Sequence, residues 1–206
     1  ALIHGDFMQT HVPVEARKIH DIALSGNGEP TSAKEFESVI ELIGNILKDF
    51  SVLQDLKLVL ITNGSLIHRP AVQAGLERMA QLNGEAWFKF DRALSAERQR
   101  INNSPISLKK IRHHLQIVTS LCPTWLQTCL FQINGEPPGE LETEAYLKFI
   151  QSLKDEGLPL KGVLLYGIAR PSLQPEAYQL TPVSESWLTA HGEKIKALGL
   201  AVKVNP

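Results

Sequence analysis

A single carboxylate, Glu29, lies in a glycine-rich turn that follows a short apolar run at residues 22–24. An almost fully apolar run of this length is typical of a buried parallel strand, and Gly26 and Gly28 allow the backbone to turn sharply after it. Ligands of parallel α/β folds bind at the carboxyl ends of the strands. The position therefore predicts that Glu29 receives a cationic or amine group. An ordinary turn, with Glu29 at the positive end of the next helix, is an equally compatible interpretation.

Further polar side chains follow other apolar runs of the chain. Asn63 follows the run at residues 56–61 and stands in a Thr-Asn-Gly-Ser turn. In the next run, Lys89 and Asp91 alternate with two phenylalanines. Both are therefore predicted to share one face of a strand, where they pair with each other or with a ligand. The alternative for this segment is a solvated edge strand.

Two more polar turns complete the set of candidate residues. Arg170 ends an apolar segment that begins at Gly162, and its planar fork of donors suits a carboxylate or a phosphate. Asn134 begins an Asn-Gly-Glu-Pro sequence that repeats part of the first turn. For its glutamate, Glu136, a plain loop and helix cap are the preferred interpretation.

Alternating strand and helix signals must position these residues. The predicted strands cover residues 19–25, 56–61, 86–91, 128–133, 162–171 and 200–204. The predicted helices begin at a Ser32/Glu35 capping box, at Pro70, and near residues 106, 140 and 182. This alternation predicts an α/β fold, a partial (β/α)6 barrel of parallel strands, with an open doubly wound sheet as the alternative. Either arrangement gathers a common set of strand-end residues at one edge: Glu29, Asn63, Asp91, Asn134 and Arg170.

The composition fits one domain with a sizeable core. The chain has 206 residues, 43% of them hydrophobic, and a formal net charge of -1. This charge provides no general attraction to nucleic acid or to an anionic membrane, and no apolar run approaches the length of about 20 residues that spans a bilayer. Cys122 and Cys129 form neither a disulfide framework nor a metal-binding spacing, and both are predicted to be buried. Their scarcity indicates a reducing, cytoplasmic location.

A basic run marks the predicted helix over residues 106–121. It contains Lys109, Lys110, Arg112, His113 and His114. We interpret it as a solvated face in preference to a nucleic-acid contact, because charge clusters on one helix usually face solvent. The adjacent histidines also lack the i, i+4 spacing with which two helical side chains ligate one metal ion.

Several of these segments together resemble the radical S-adenosylmethionine (SAM) enzymes, in particular iron-sulfur oxidoreductases with a Ser-Gly-Asn-Gly-Glu-Pro-Thr motif. That motif stands here at residues 25–31. The resemblance covers most of the chain and includes Ile-Thr-Asn-Gly at residues 61–64 and Lys-Phe-Asp at residues 89–91. It continues with Ile-Asn-Asn at residues 101–103 and Leu-Tyr-Gly-Ile-Ala-Arg-Pro at residues 165–171. The first two turns are fairly specific as a pair, whereas each alone is a weak signal.

The resemblance implies that SAM lies across the carboxyl ends of six parallel strands. Its methionyl amino group would be received by a cofactor-binding turn of five residues: Gly26, Asn27, Gly28, Glu29 and Pro30. Asn63 would line the SAM or substrate cavity beside this turn. Lys89 and Asp91 would line the same cavity as candidate catalytic residues, and Arg170 would face it from the far side.

In this family a [4Fe-4S] cluster, supplied with electrons by a donor such as flavodoxin or ferredoxin, cleaves SAM reductively to a 5'-deoxyadenosyl radical. That radical abstracts hydrogen from a substrate. The CxxxCxxC motif that ligates the cluster is absent from this sequence. We therefore expect residues 1–206 to form a single domain whose first strand and cluster loop precede Ala1, and without them we expect the chain to be inactive.

Two other functions stay open on the sequence. The domain could retain SAM or another amino-acid-like ligand without redox chemistry, or it could act as an acid/base barrel enzyme through Glu29, Lys89 and Asp91. Some relatives with similar turns act on tRNA, a partner that only the basic run at residues 109–114 supports here.

Overall fold

The fold is built on a sheet of six parallel strands. The structure is a computed structural model that describes residues 2–26, 28–52, 55–168 and 172–205. Within these residues the strands are β1 (Asp21–Leu24), β2 (Lys57–Thr62), β3 (Gly84–Lys89), β4 (Thr124–Cys129), β5 (Phe131–Ile133), β6 (Leu160–Tyr166), β7 (Leu180–Pro182) and β8 (Val202–Asn205). The sheet has the order β1-β2-β3-β4-β6-β8 with every neighbouring pair parallel. Strands β5 and β7 form a separate antiparallel ribbon.

Helices connect the parallel strands. In the described ranges they are α1 (Phe7–His11), α2 (Phe36–Asp49), α3 (Pro70–Gln81), α4 (Ser95–Asn102), α5 (Leu108–Leu121), α6 (Glu140–Asp155) and α7 (Glu185–Ala197). Short 3-10 helices cover Val14–Ala16, Pro30–Ser32 and Pro175–Gln179. The helices predicted near residues 70, 106, 140 and 182 are confirmed as α3, α5, α6 and α7. Of the helices described here, none has both the length and the apolar character to cross a lipid bilayer.

The parallel strands and their connecting helices confirm the predicted α/β architecture. Strands β1 and β8 occupy the two edges of the sheet, and within the described residues they do not pair with each other, so the barrel is partial. The central strands are buried on both faces, which explains their nearly continuous apolar runs. The most deeply buried strand residues include Leu58, Leu60, Phe88, Leu126, Val163 and Leu165.

The predicted fourth strand over residues 128–133 is wrong in its bounds. Strand β4 begins earlier, at Thr124, and ends at Cys129. The chain then leaves the sheet, and β5 pairs with β7 through an antiparallel ladder. Asn134 and Gly135 follow with φ values of +54° and +83°, which is the conformation of a tight hairpin turn. Asn134 therefore lies in a hairpin turn and not at the end of a strand in the parallel sheet.

The predicted capping box at Ser32 is also wrong. Ser32 belongs to the 3-10 helix Pro30–Ser32, and α2 begins only at Phe36, after Glu35, whose side chain makes no capping hydrogen bond. The chain turns at this point because the side chain of Glu29 binds the backbone N–H of Thr31 and shapes the 3-10 turn. The buried face of α2 is nevertheless helical in spacing: Phe36, Ile40, Gly44 and Leu47.

Candidate active site

The carboxylate of Glu29 joins the two turns that carry the sequence motifs. Its Oε1 accepts hydrogen bonds from the hydroxyl of Thr31 and the hydroxyl of Thr62, each at 2.6 Å, and from the N–H of Thr31 at 3.3 Å. Its Oε2 accepts one from the backbone N–H of Asn63 at 2.8 Å. Hydrogen bonds to a charged acceptor are stronger than those between neutral groups. Glu29 therefore fastens its own turn to the carboxyl end of β2.

The turn after β2 is itself tightly organised. Thr62 is fully buried, and its hydroxyl oxygen accepts from the N–H of Gly64 at 2.9 Å. The side-chain oxygen of Asn63 accepts from the N–H of Ser65 at 2.9 Å, which makes an Asx turn. Gly64 has φ +72°, and a Cβ there would meet the ring of Phe88 at 2.1 Å. This position therefore requires glycine for both its conformation and its space.

The backbone of the first turn faces open space. Gly26 and Gly28 have φ values of +130° and +123°, and a Cβ on either would meet no heavy atom within 4 Å. The N–H of Gly28 donates to the carbonyl of Gly26 at 2.9 Å. Pro30 follows as the first residue of the 3-10 helix, while Asn27 lies outside the described residues. A bare glycine backbone beside a fixed carboxylate can accept a ligand at close approach.

Asp91 is held by two hydrogen bonds at the carboxyl end of β3. Its Oδ1 accepts from the backbone N–H of Cys129 at 2.8 Å, and its Oδ2 accepts from the side-chain amide of Asn102 at 2.7 Å. Within the described residues Lys89 is exposed and has no carboxylate within ion-pair distance. The sequence predicted that Lys89 and Asp91 pair with each other or with a ligand. The ion pair between them is not formed.

Strand β3 is a central strand, so the alternative of a solvated edge strand is wrong. It pairs with β2 on one side and with β4 on the other. The predicted alternation holds along it, because Trp87 Nε1 donates to Glu85 Oε1 at 2.9 Å on the same face that carries Lys89. Phe88 points to the opposite face and is buried.

A cavity of about 770 Å³ opens at the carboxyl ends of β2 and β3. Three of the predicted site residues, Asn63, Lys89 and Asp91, line it. The remaining wall comes from the connection between α4 and α5, with Arg98 and Lys110 on its flanks. Glu29 does not line the cavity but is bonded to Asn63, which does. The first turn and the cavity are thus adjacent, while Arg170 lies outside the described residues.

Two buried arginines belong to this region and were not predicted. Arg92 is 2% exposed and donates to the carbonyls of Asp91 at 2.9 Å and Cys129 at 3.1 Å. Its Nε also contacts Glu142 as an ion pair without hydrogen-bond geometry. Arg98 is 5% exposed and donates to the carbonyls of Ala93 and Ile106. Their sequence neighbourhood is charged and polar, so only tertiary contacts show that they are buried.

The described residues do not fit an iron-sulfur cluster. Such a cluster is held by cysteine thiolates. The Sγ of Cys122 lies 3.8 Å from the carbonyl of Gly84, at the start of β3, whereas the Sγ of Cys129 lies 3.8 Å from the carbonyl of Gly167, beyond the end of β6. Burial raises the pKa of Cys122 to about 12 and that of Cys129 to about 11. In the part of the chain that the structure describes, no three His, Cys, Asp or Glu side chains are grouped to hold a metal ion.

The basic run on α5 is dispersed among different surroundings. Lys109 is exposed, and Lys110 lines the cavity. Arg112 pairs with Glu156, the residue that follows α6, and its Nη2 donates to Ser152 of α6 at 2.9 Å. His114 is 1% exposed and stacks on His68 at 5.7 Å between ring centroids. Burial lowers the pKa of His114 and favours its neutral form. These residues do not form one continuous basic surface.

Several solved structures share this fold, and three of them are described here. A domain of pyruvate-formate lyase-activating enzyme from Bacteroides vulgatus ATCC 8482 has a TM-score of 0.55 at 15% identity, over 91% of this chain and 99% of that one. A radical SAM methyltransferase from Sphaerobacter thermophilus has a TM-score of 0.62 at 13% identity, over 93% of this chain and 52% of that one. CbXyn10B in its native form has a TM-score of 0.50 at 12% identity, over 97% of this chain and 66% of that one.

These likenesses concern the fold, because all three identities are low. The chain spans nearly all of the activating-enzyme domain and about half of the methyltransferase. Comparison of the sequence with protein-family models and with curated proteins finds no match. The fold expected from the resemblance, a partial barrel of the radical SAM kind, is thereby confirmed.

Proposed function

We propose that this chain is the SAM-binding domain of a radical SAM enzyme. The observation that carries the proposal is the set of hydrogen bonds from Glu29 to Thr62 and Asn63. They fix a charged carboxylate and an open glycine backbone beside a cavity at the carboxyl ends of the strands. Ligands of parallel α/β folds bind at that edge. The shared fold of a solved radical SAM methyltransferase supports the same proposal.

The groups of SAM match the groups at this edge. Glu29 Oε2 accepts one hydrogen bond from the chain, and a carboxylate oxygen has a second lone pair that a methionyl ammonium can use. Gly26 and Gly28 leave space for the methionyl group to approach the backbone. Asn63 connects this turn to the cavity, where Lys89 and Asp91 would contact SAM or its substrate. Asp91 is already oriented by Asn102 and Cys129, so it acts as a fixed charge.

The proposal for this chain concerns binding and orientation of SAM. Reductive cleavage of SAM in the radical SAM family requires a [4Fe-4S] cluster, and the described residues do not fit one. An enzyme of this kind would draw electrons from a flavodoxin or ferredoxin. A tRNA substrate would have to bind without a continuous basic surface on α5.

A SAM-binding module without redox chemistry is the second candidate, and the poor fit of Cys122 and Cys129 to a cluster favours it. The acid/base alternative has less support. Glu29 and Asp91 are both engaged by structural hydrogen bonds, and Glu29 does not line the cavity that contains Lys89 and Asp91.

Calorimetric titration with SAM tests the proposal. We expect saturable binding, competition by S-adenosylhomocysteine, which has the same amino and carboxylate groups, and weaker binding by Glu29→Gln, which removes the negative charge that would receive the methionyl ammonium. Glu35→Gln is the matched control, because Glu35 is exposed and makes no capping hydrogen bond. Absence of SAM binding would overturn the proposal. Formation of 5'-deoxyadenosine after anaerobic incubation with iron, sulfide and dithionite would exclude the module without redox chemistry.

A further inference from the structure

The cavity at the carboxyl ends of β2 and β3 has a strong excess of positive charge. Three cations line it, and we call them the cationic wall: Lys89, Arg98 and Lys110. Among the described residues that line it, Asp91 is the only carboxylate. The negative charge of Asp91 is already directed at the N–H groups of Cys129 and Asn102. With three cations against one carboxylate, the described lining of the cavity has a formal charge of +2.

Arg98 is the central group of the cationic wall. It is 5% exposed, and no carboxylate of the described residues lies within ion-pair distance of it. Its Nε donates to the carbonyl of Ile106 at 3.2 Å, and its Nη1 donates to the carbonyl of Ala93. Its Nη2 makes no hydrogen bond within the described parts of the chain, so its two N–H donors are available to a ligand. A buried cation without a counter-ion is costly, and an anion in the cavity would offset that cost.

The amino end of α5 points to the same chemistry. Ser107 caps the helix by accepting from the N–H of Lys110 at 3.3 Å, and both residues line the cavity. The first turn contains no acidic residue, although acidic residues are the usual complement to the positive end of a helix. It contains Lys109 and Lys110 instead. An external anion would complement both the helix end and the lysines.

We propose that the cationic wall binds the phosphate ester of a phosphorylated substrate. A phosphomonoester carries nearly two negative charges at neutral pH, which matches the unmatched charge of the cavity. Its tetrahedral oxygens can use the guanidinium fork of Arg98 and the ammonium of Lys110 together. This inference rests on the proposed function, because it names the class of molecule that shares the cavity with SAM.

The SAM carboxylate is a separate anion and would belong to the first turn, because the amino group that Glu29 receives lies on the same carbon atom. Asn63 donates to Glu29 and lines the cavity, whereas Glu29 does not line it. SAM and a phosphate group are therefore expected to bind together and not in competition.

Calorimetric titration with inorganic phosphate tests the inference, at low ionic strength and both with and without saturating SAM. We expect saturable phosphate binding that SAM does not displace, and no comparable binding of succinate. Lys110→Gln should weaken phosphate binding about tenfold, the effect of losing one charge-assisted contact. Lys109→Gln, which removes the same charge from the neighbouring exposed residue outside the cavity, should change it by less than about twofold.

Three results would overturn the inference: no saturable phosphate binding, equal effects of Lys109→Gln and Lys110→Gln, or displacement of phosphate by SAM. The last would assign the cationic wall to SAM itself. Arg98→Gln gives a second test if the protein remains folded, and Lys110→Gln keeps the test valid if it does not. Phosphate binding without any SAM binding would support the anion site while overturning the proposed function.

Discussion

At the scale of single residues, the site depends on where two carboxylates direct their lone pairs. Glu29 uses four hydrogen bonds to hold two turns together, and Asp91 uses two to hold β4 and α4. Apart from Thr31, which neighbours Glu29, the partners of both carboxylates come from segments more than ten residues away in sequence, so the carboxylates act as connectors between elements. Any ligand that binds beside them meets groups that are already oriented.

Glu29→Gln should destabilise the protein even without ligand. Glutamine has one acceptor oxygen and one NH2 group in place of the two carboxylate oxygens. Either the hydroxyls of Thr31 and Thr62 or the N–H of Asn63 would therefore face that NH2 group and lose an acceptor. We expect a loss of about 2 kcal/mol in the free energy of unfolding, measured with urea. Glu35→Gln is the control, because Glu35 is exposed and makes no capping hydrogen bond. Equal effects of the two substitutions would contradict the role assigned to Glu29.

His191 provides a second prediction at this scale. It is 4% exposed, stacks on Trp187 at 5.2 Å between ring centroids, and neither ring nitrogen has a hydrogen-bond partner in the described residues. Burial, with Lys194 and Arg92 nearby, lowers its pKa to about 4. The folded protein therefore keeps His191 neutral at a pH where the unfolded chain takes up a proton.

Stability should fall as the pH falls from the usual histidine pKa towards that lowered value, because the unfolded state then binds more protons. Between about pH 7 and about pH 4.5, the unfolding free energy should fall by about 2 kcal/mol more in the wild type than in His191→Phe. Urea titrations at several pH values measure this difference. Glu142, whose pKa burial raises, is present in both proteins and does not affect the comparison. Parallel pH profiles would contradict the prediction.

At the scale of the elements, the turn after β2 depends on one missing side chain. A Cβ at Gly64 would meet Phe88 at 2.1 Å, and φ is +72°. Gly135 has a similar φ of +83° but has no atom within 4 Å of its virtual Cβ. The two glycines therefore separate the cost of the backbone conformation from the cost of the steric contact.

Gly135→Ala should cost about 1 kcal/mol of unfolding free energy, the penalty of a left-handed backbone alone. Gly64→Ala should cost about 2 kcal/mol more, because the ring of Phe88 must move. Thermal or urea unfolding measures both, and Phe88→Leu in the Gly64→Ala background should recover part of the difference. If Gly64→Ala and Gly135→Ala are equivalent, the contact with Phe88 does not constrain the turn.

The sequence analysis correctly predicted those elements whose apolar periodicity or capping residues can be read within the element itself. Strand β2 and helices α3, α5, α6 and α7 have apolar periods or caps that follow from local contacts with the core. The end of β4 could not be predicted, because residues 128–133 are one apolar run that is divided between two sheets. Helix α4 was missed because it has no apolar stripe and is held instead by Arg98 and Asn102.

The candidate site was predictable only in part, for the same reason. Glu29 and Asn63 belong to turns with recognisable spacing, and the structure bonds them to each other. The burial of Arg98 and the cavity beside it depend on where α4 packs, which no local pattern encodes. The positions of Asn27 and Arg170 stay predictions of the sequence, because both lie outside the described residues.

At the scale of the whole molecule, the amino and carboxyl ends of the parallel strands differ chemically. The carboxyl ends carry the joined turns and the cavity. Near the amino end of β3, Glu85 is buried and accepts hydrogen bonds from Trp87, Trp125 and Lys161, so its carboxylate is satisfied within the protein. The cavity with the cationic wall therefore lies at the carboxyl ends of the strands, where the proposed function places SAM.

Hydrogen exchange with and without SAM tests whether SAM binds at this end of the strands. We expect SAM to slow amide exchange in peptides that cover residues 25–31 and 62–65, because its methionyl group would contact the joined turns. Peptides that cover residues 84–87, at the amino end of β3, should exchange at an unchanged rate. Protection limited to the amino end of β3, or SAM binding without protection of either turn, would contradict this placement of SAM.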